Sequence, residues 1–308
     1  MRLTASQIDR FEEEGYLVVE NALDDSDLNP VVQDYEEYIG ELAQEWLEAG
    51  EISSLYEEEP FETRLARICA ENRNLAAQAN NLMDLYRARR RRSFEFLRNE
   101  NLMDLVEGLV GPEIICSPIQ HLRAKLPSHL FSGTGGDSHV AAWHQDAGVT
   151  QDDADPHFIL TVWIPLTKAT RENGCMQIIP RTNKGGLLEH QTIPGVGTRI
   201  REDEMPAMDP VDLPMEKGGV VLIHKNVPHR STPNSSNGIR WSMDLRYQKA
   251  GTSTGRIIYP DFVVRSRANP ASVLTDHEEW SRMWVEALEA ESPADRHHRW
   301  ETVHADPS

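Results

Sequence analysis

Apolar positions recur every three to four residues through the first third of the chain and then every second residue beyond Gly111-Pro112. Residues 4–14 predict a short capped helix with Leu3, Ile8 and Phe11 on its inner side, and residues 15–19 predict a strand. Helical periodicity dominates residues 24–50 and again 61–110, with acids at the outer positions. After Gly111-Pro112, strands are predicted at residues 114–126, 139–145, 158–166, 175–179, 220–224 and 239–247, separated by Gly, Pro, Asn and Asp clusters. Such a density of short strands predicts a sandwich or barrel.

No internal repeat or low-complexity linker divides the helices from the strands, so a single domain is expected over residues 1–291. Its parts are a helical N-terminal region (1–112), a β core (about 113–250) and a helical extension (251–291), followed by a flexible tail at 292–308. Residues 192–213, rich in Pro, Gly, Asp and Met, read as a long loop, and loops of that length are usually functional or mobile. Residues 275–290 predict a helix with Trp280, Trp284, Ala287 and Leu288 on one stripe. Core packing is the preferred role of that stripe, ahead of a dimer contact or a lid, and a monomer or homodimer is expected.

Composition narrows the class. The 308 residues are 39% hydrophobic and 26% charged, with no apolar run near the roughly 20 residues of a membrane helix. The acidic opening, with Asp9, Glu12, Glu13 and Glu14, lacks the pattern of a secretory or transit segment. Cys69, Cys116 and Cys175 are too few and too scattered for a disulfide framework, so a cytoplasmic location is expected. A net charge of −19 opposes binding to nucleic acid or an anionic membrane and leaves a small molecule as the expected partner. Against that field stands one basic run, Arg87 and Arg89 to Arg92; a solvated helix face paired with acids is the preferred reading, and a grip on an anionic substrate group is the alternative.

The candidate chemistry begins at Trp143-His144-Gln145-Asp146. Residues two apart on a strand share a face, so His144 and Asp146 form half of a metal site, with His229 as the distant third donor. Two histidines and one carboxylate on one face leave three metal positions open. His-x-Asp alone is a weak signal. In residues 239–247, Arg240, Ser242, Asp244 and Arg246 alternate with Ile239, Trp241, Met243, Leu245 and Tyr247. In a barrel buttressed by helices the apolar face meets the helices and the polar face lines a cavity, where an arginine can fork a carboxylate. His121, His139, His157, His190 and His224 are expected to be surface or locally bonded residues, with His224 the strongest rival ligand.

Several ordered segments resemble the phytanoyl-CoA dioxygenase family of non-haem iron(II), 2-oxoglutarate-dependent oxygenases. They are Phe11-Glu12-Glu13-Glu14-Gly15-Tyr16-Leu17-Val18-Val19, Trp143-His144-Gln145-Asp146, Glu172-Asn173-Gly174-Cys175-Met176-Gln177-Ile178-Ile179-Pro180, Glu216-Lys217-Gly218-Gly219, and His229-Arg230-Ser231-Thr232-Pro233-Asn234 with Arg240 beyond. The resemblance implies an α+β fold with a mainly β core, a double-stranded β-helix (jelly roll, cupin-like) buttressed by helices. It implies that His144, Asp146 and His229 hold Fe(II), and that Arg240 and Ser231 hold the distal carboxylate of 2-oxoglutarate. Trp163 and Lys125 match positions that face the cosubstrate in relatives. Arg246 is the rival arginine; the family spacing favours Arg240, and strand parity does not separate them.

The implied activity is O2-dependent hydroxylation or other oxidation of an unactivated C–H, with release of succinate and CO2. Asp146 favours it over halogenation, because halogenating relatives carry a small residue there. Where relatives read Pro-Gly-Ser-His-Lys, this chain reads Pro180-Arg181-Thr182-Asn183-Lys184, which removes the loop histidine. Two rival readings remain open: a metal- or ligand-binding jelly roll without catalysis, and a redox-neutral isomerase or lyase on the same scaffold.

Overall fold

Helix α1 (Ala5–Glu14) starts at a capping box: Gln7 N–H donates to the Thr4 hydroxyl, and Thr4 N–H donates back to the Gln7 side chain. Gly15, at φ +78°, ends the helix and turns the chain into strand β1 (Tyr16–Val19). Asp24 caps α2 (Asp25–Glu48), whose stripe of Leu28, Val31, Tyr35, Ile39, Leu42 and Trp46 is buried. The computed structural model describes residues 1–131, 140–291 and 299–303.

The second helical region is five short helices: α3 (Arg64–Glu71), α4 (Asn74–Met83), α5 (Leu85–Ala88), α6 (Arg91–Phe96) and α7 (Glu100–Val110). Arg89, at φ +43°, separates α5 from α6 and splits the basic run. Arg90 and Arg92 pair with Glu41, Glu37 and Asp34 of α2, and Arg91 with Glu278, so three of the run's arginines form the solvated, acid-paired face.

The strands that follow are β2 (Glu113–Lys125), β3 (Ile159–Pro165), β4 (Met176–Ile178), β5 (His190–Ile193), β6 (Gly197–Ile200), β7 (Val211–Leu213), β8 (Val220–His224), β9 (His229–Ser231), β10 (Arg240–Lys249) and β11 (Phe262–Ser266). Helix α8 (His277–Ala290) comes after them, with Trp280, Trp284 and Ala287 buried. A six-stranded antiparallel sheet runs β1-β8-β3-β10-β2-β11, and a three-stranded sheet runs β7-β4-β9. The fold is the jelly roll with mixed α and β content.

The parity of β10 decides what each face of the large sheet meets. Trp241, Met243, Leu245 and Tyr247 join Leu122, Ala124, Val162 and Leu222 in one apolar cluster with the helices. Trp241 stacks on Phe61 at 4.7 Å, and Tyr247 donates its O–H to Leu97 O at 2.9 Å. Deleting a buried aromatic of this kind costs on the order of 3–5 kcal/mol. The opposite face looks toward the small sheet, and a second cluster, including Trp163, Met176, Ile178, Val221 and Ile223, closes part of the space between the sheets. The remaining space is the cavity described below.

Four expectations need correction. Residues 192–213 are not one loop: β5 and β6 form a hairpin, and β7 becomes an edge of the small sheet. The predicted strand at 139–145 is reduced to a single antiparallel bridge between His144 and His229, and residue 139 lies outside the described residues. The extension at 251–291 is not wholly helical, because β11 pairs with β2 and lengthens the large sheet. Of the expected flexible tail, residues 299–303 are docked: Thr192 N–H donates to Glu301 O at 2.9 Å, and Val303 N–H to Thr192 O at 2.9 Å. Among the described residues, no helix is long and apolar enough to cross a membrane.

Candidate metal centre and anion recess

His144 and His229 reach one point from neighbouring chain segments. Each backbone N–H donates to the other residue's carbonyl, at 3.1 and 2.9 Å, and the rings lie 4.3 Å apart between centroids. In both rings Nδ1 sits against a carbonyl two residues upstream, Ala142 O at 2.8 Å and Val227 O at 3.0 Å. A carbonyl can only accept, so Nδ1 carries the proton and the Nε2 lone pair is left for a metal. Asp146 is placed differently from the strand expectation, since it opens a 3-10 turn (Asp146–Val149). The turn still delivers its carboxylate, and the donor atoms of His144, Asp146 and His229 lie within 4.8 Å of one another. This donor set fits a divalent iron.

The buried Asp146 carboxylate has two side-chain donors, the guanidinium of Arg246 and the hydroxyl of Thr161. Burial alone would raise its pKa; the charge of Arg246 outweighs that, the Thr161 hydroxyl bond adds to it, and the carboxyl is held below the ordinary carboxylate range. Burial, with His229 beside it, pushes His144 down to about 4, which keeps its imidazole neutral. Arg246 also pairs with Asp244 at 2.8 Å.

Gln145, between two of the donors, points the other way and staples the loop. Its amide donates to Asn226 O at 2.5 Å and Gly186 O at 2.9 Å, while its carbonyl accepts from Leu188 N–H at 2.8 Å. Gln145 N–H donates to His190 Nε2 at 3.2 Å, and the His190 ring lies against Gly148, where any Cβ would collide with it. Trp300 stacks on the same ring at 5.1 Å and donates Nε1–H to Gly148 O at 2.6 Å.

The same cavity, ≈ 680 Å³, continues from the triad to the ends of β2 and β10. Arg240 is buried there with its guanidinium 5.4 Å over the Trp163 ring, and it donates to Gly174 O at 3.3 Å and to the Ser242 hydroxyl. Among the described residues, no carboxylate lies within ion-pair distance of it. Burial pushes its pKa down to about 10. Lys125, opposite Arg240 in the β2–β10 register, donates Nζ–H to Ser231 Oγ at 2.8 Å; burial, then the charge of Arg240, holds it well below the ordinary lysine value. Ser231 Oγ also accepts from Ala141 N–H at 3.0 Å, so its own proton remains for an incoming acceptor. Gly174, at φ +90°, is required here, because a Cβ would lie 2.5 Å from Lys125 Cε.

His144, His229, Arg240, Ser231, Trp163 and Lys125 therefore border one cavity, and Asp146 joins the two histidines in the donor set. His224 does not join the donors: it accepts from Asn226 N–H at 3.1 Å and packs its ring on Phe158 at 5.3 Å. His121 bonds Asp84 at 2.9 Å. His190 is locally bonded, as expected; sequence reasoning missed Thr161, Trp300 and the role of Arg246. The parity of β3 and β10 was the available signal for Thr161 and Arg246.

A jelly roll with a two-histidine, one-carboxylate set beside a cationic recess is the architecture of non-haem iron oxygenases of the 2-oxoglutarate type. Residues 11–242 match the family described as Phytanoyl-CoA dioxygenase (PhyH), and the chain belongs to that family. Among curated relatives, a phytanoyl-CoA dioxygenase domain-containing protein 1 of Danio rerio is 35% identical over 88 residues, 27% of this chain and 30% of that protein. A 1-deoxypentalenic acid 11-beta-hydroxylase of Streptomyces arenae is 34% identical over 129 residues, 38% of this chain and 44% of that protein. The matches thus span less than half the length of either relative. Among solved structures, the non-heme monooxygenase ThoJ, in its apo form, shares the fold with a TM-score of 0.56 and 21% identity, over 92% of this chain and 95% of that one.

Proposed function

We propose that the protein is an iron(II)- and 2-oxoglutarate-dependent dioxygenase that hydroxylates an unactivated C–H of a small-molecule metabolite. The observation that carries this reading is the shared cavity of the His144–Asp146–His229 set and Arg240, a buried guanidinium with no carboxylate partner among the described residues. A metal that only braced the fold would have no use for such a cation, whereas a dicarboxylate cosubstrate supplies its missing partner.

In this reading His144, Asp146 and His229 hold iron and leave three positions open. Arg240 forks the distal carboxylate of 2-oxoglutarate, Ser231 donates its O–H to it, Lys125 adds charge and holds Ser231, and Trp163 walls the recess. Bound iron and 2-oxoglutarate supply oxygen activation coupled to oxidative decarboxylation, with succinate and CO2 as coproducts. The chain's own part is to orient the donors, keep Asp146 ionised through Arg246 and Thr161, and shield the centre from water. A family relative that carries hydroxylase in its name supports hydroxylation as the outcome. Cationic walls within a chain of net charge −19 support an anionic cosubstrate.

Substrate-dependent succinate release tests the reading. His144→Ala and Asp146→Ala each abolish it in the iron-loaded enzyme; undiminished release in both variants contradicts the assignment.

A further inference from the structure

The triad and the cosubstrate recess leave Arg256, in the wall of the same cavity, without a role. Arg256 lies between β10 and β11 and borders both the metal cavity and a second cavity of ≈ 190 Å³. Its Nη2–H donates to Val149 O at 2.5 Å, the last residue of the turn that carries Asp146. Its Nε is buried and has no hydrogen-bond partner. Among the described residues, no carboxylate comes within ion-pair distance of Arg256, although its neighbours are matched: Arg246 by Asp146 and Asp244, and Arg123 by Asp84 at 3.3 Å. Burial presses its pKa down, and the charge of Arg246 adds to that effect. Arg256 is half-buried, and a guanidinium partly withdrawn from water without a counter-ion carries a cost that an arriving anion relieves.

The second cavity indicates what that anion is attached to. Tyr86, Tyr259, Trp284 and Ile119 supply apolar and aromatic surface, with Arg87 and Glu291 also in its wall. Tyr86 stacks on Trp284 at 4.8 Å, and Tyr259 lies 5.9 Å from the same ring. Ile119, His121 and Arg256 belong to the walls of both cavities, so a molecule held at Arg256 has the metal donors on one side and the aromatic recess on the other. His121 is occupied by Asp84, which leaves Arg256 as the cation available at this junction.

We propose that Arg256 anchors a carboxylate of the primary substrate, an apolar monocarboxylic acid whose body rests against the Tyr86–Tyr259–Trp284 wall. The inference rests on the oxygenase reading above. Arg256 is the guanidinium shared by the two cavities, and its planar fork suits a carboxylate.

The test uses the full chain loaded with iron(II), anaerobically, with 2-oxoglutarate at saturation so that the Arg240 recess is filled. The probes are 2-naphthoate, cyclohexaneacetate and decanoate, each measured against its primary amide by isothermal titration calorimetry. At least one acid binds the wild type about tenfold or more tighter than its amide. Arg256→Gln brings that ratio to within about twofold, Arg256→Lys retains most of it, and the visible absorption of the iron–2-oxoglutarate chelate is the same in all three proteins. A residue that merely braced Val149 would weaken acid and amide alike. No acid preference in the wild type, or an undiminished preference in Arg256→Gln, overturns the proposal. Absence of the chelate absorption with the acid preference intact overturns the cosubstrate reading instead and leaves the role of Arg256 standing.

Discussion

Arg246 donates to the carboxylate of Asp146, and Arg240, six residues earlier on the same face of β10, bonds among the described residues only Gly174 O and the Ser242 hydroxyl. The two arginines are equivalent by parity and opposite in electrostatic state. Arg246 is neutralised by two acids, whereas Arg240 has no carboxylate within ion-pair distance among the described residues. Their substitutions separate accordingly. Arg240→Ala weakens 2-oxoglutarate binding by about 10- to 150-fold, from roughly 1.5–3 kcal/mol for a charge-assisted fork, and leaves metal affinity near wild type. Arg246→Met weakens metal binding by about 10- to 100-fold, as loss of a partner to a ligand does. Parallel metal and 2-oxoglutarate titrations check the pair, and the reverse ranking contradicts it.

The docked C-terminal residues brace the metal loop from outside. Arg299 pairs with Asp155, and Trp300 covers His190 while bonding Gly148 O. Removing residues 299–308 exposes this face of residues 144–150. The expected outcome is a loss of metal affinity of up to about tenfold and a melting temperature lower by a few degrees. Equal metal affinity and equal melting temperature in the truncated protein contradict a bracing role.

His224 makes folding pH-dependent on the acid side. Burial, then the charge of Lys225, pushes its pKa from 6.5 to about 4, and Asn226 N–H occupies its Nδ1 lone pair. Between those values the unfolded chain binds a proton that the folded chain refuses, so stability is full above 6.5 and falls as pH drops toward 4. The change amounts to up to about 3 kcal/mol. Urea unfolding from pH 7.5 to about 4 therefore loses less stability in His224→Gln than in the wild type. Parallel pH curves for the two proteins contradict the assignment.

Much of the site was legible because its residues obey short-range rules. The alternation in β10 predicted a helix-facing and a cavity-facing side, and the cluster membership of Trp241, Met243 and Leu245 agrees. His144 and His229 were legible as residue types in ordered motifs. What escaped was non-local. Parity puts Arg240 and Arg246 on one face; the family spacing favoured Arg240, and the pairing of Arg246 with Asp146 emerges only from the tertiary structure. The left-handed backbone at Arg89 has no glycine to announce it. The β5–β6 hairpin is hidden in a Pro- and Gly-rich stretch, and residues 299–303 hold their place through Asp155, Gly148 and Thr192, far away in the chain.

The central claim is that His144, Asp146 and His229 bind iron beside a recess built for 2-oxoglutarate. Anaerobic titration of the iron(II)-loaded protein with 2-oxoglutarate, followed by visible absorption, tests it most directly. The account predicts a charge-transfer band that saturates at about one equivalent of bound cosubstrate and is lost in His229→Ala. A wild-type protein that is natively folded and iron-loaded, yet develops no band at saturating 2-oxoglutarate, contradicts it.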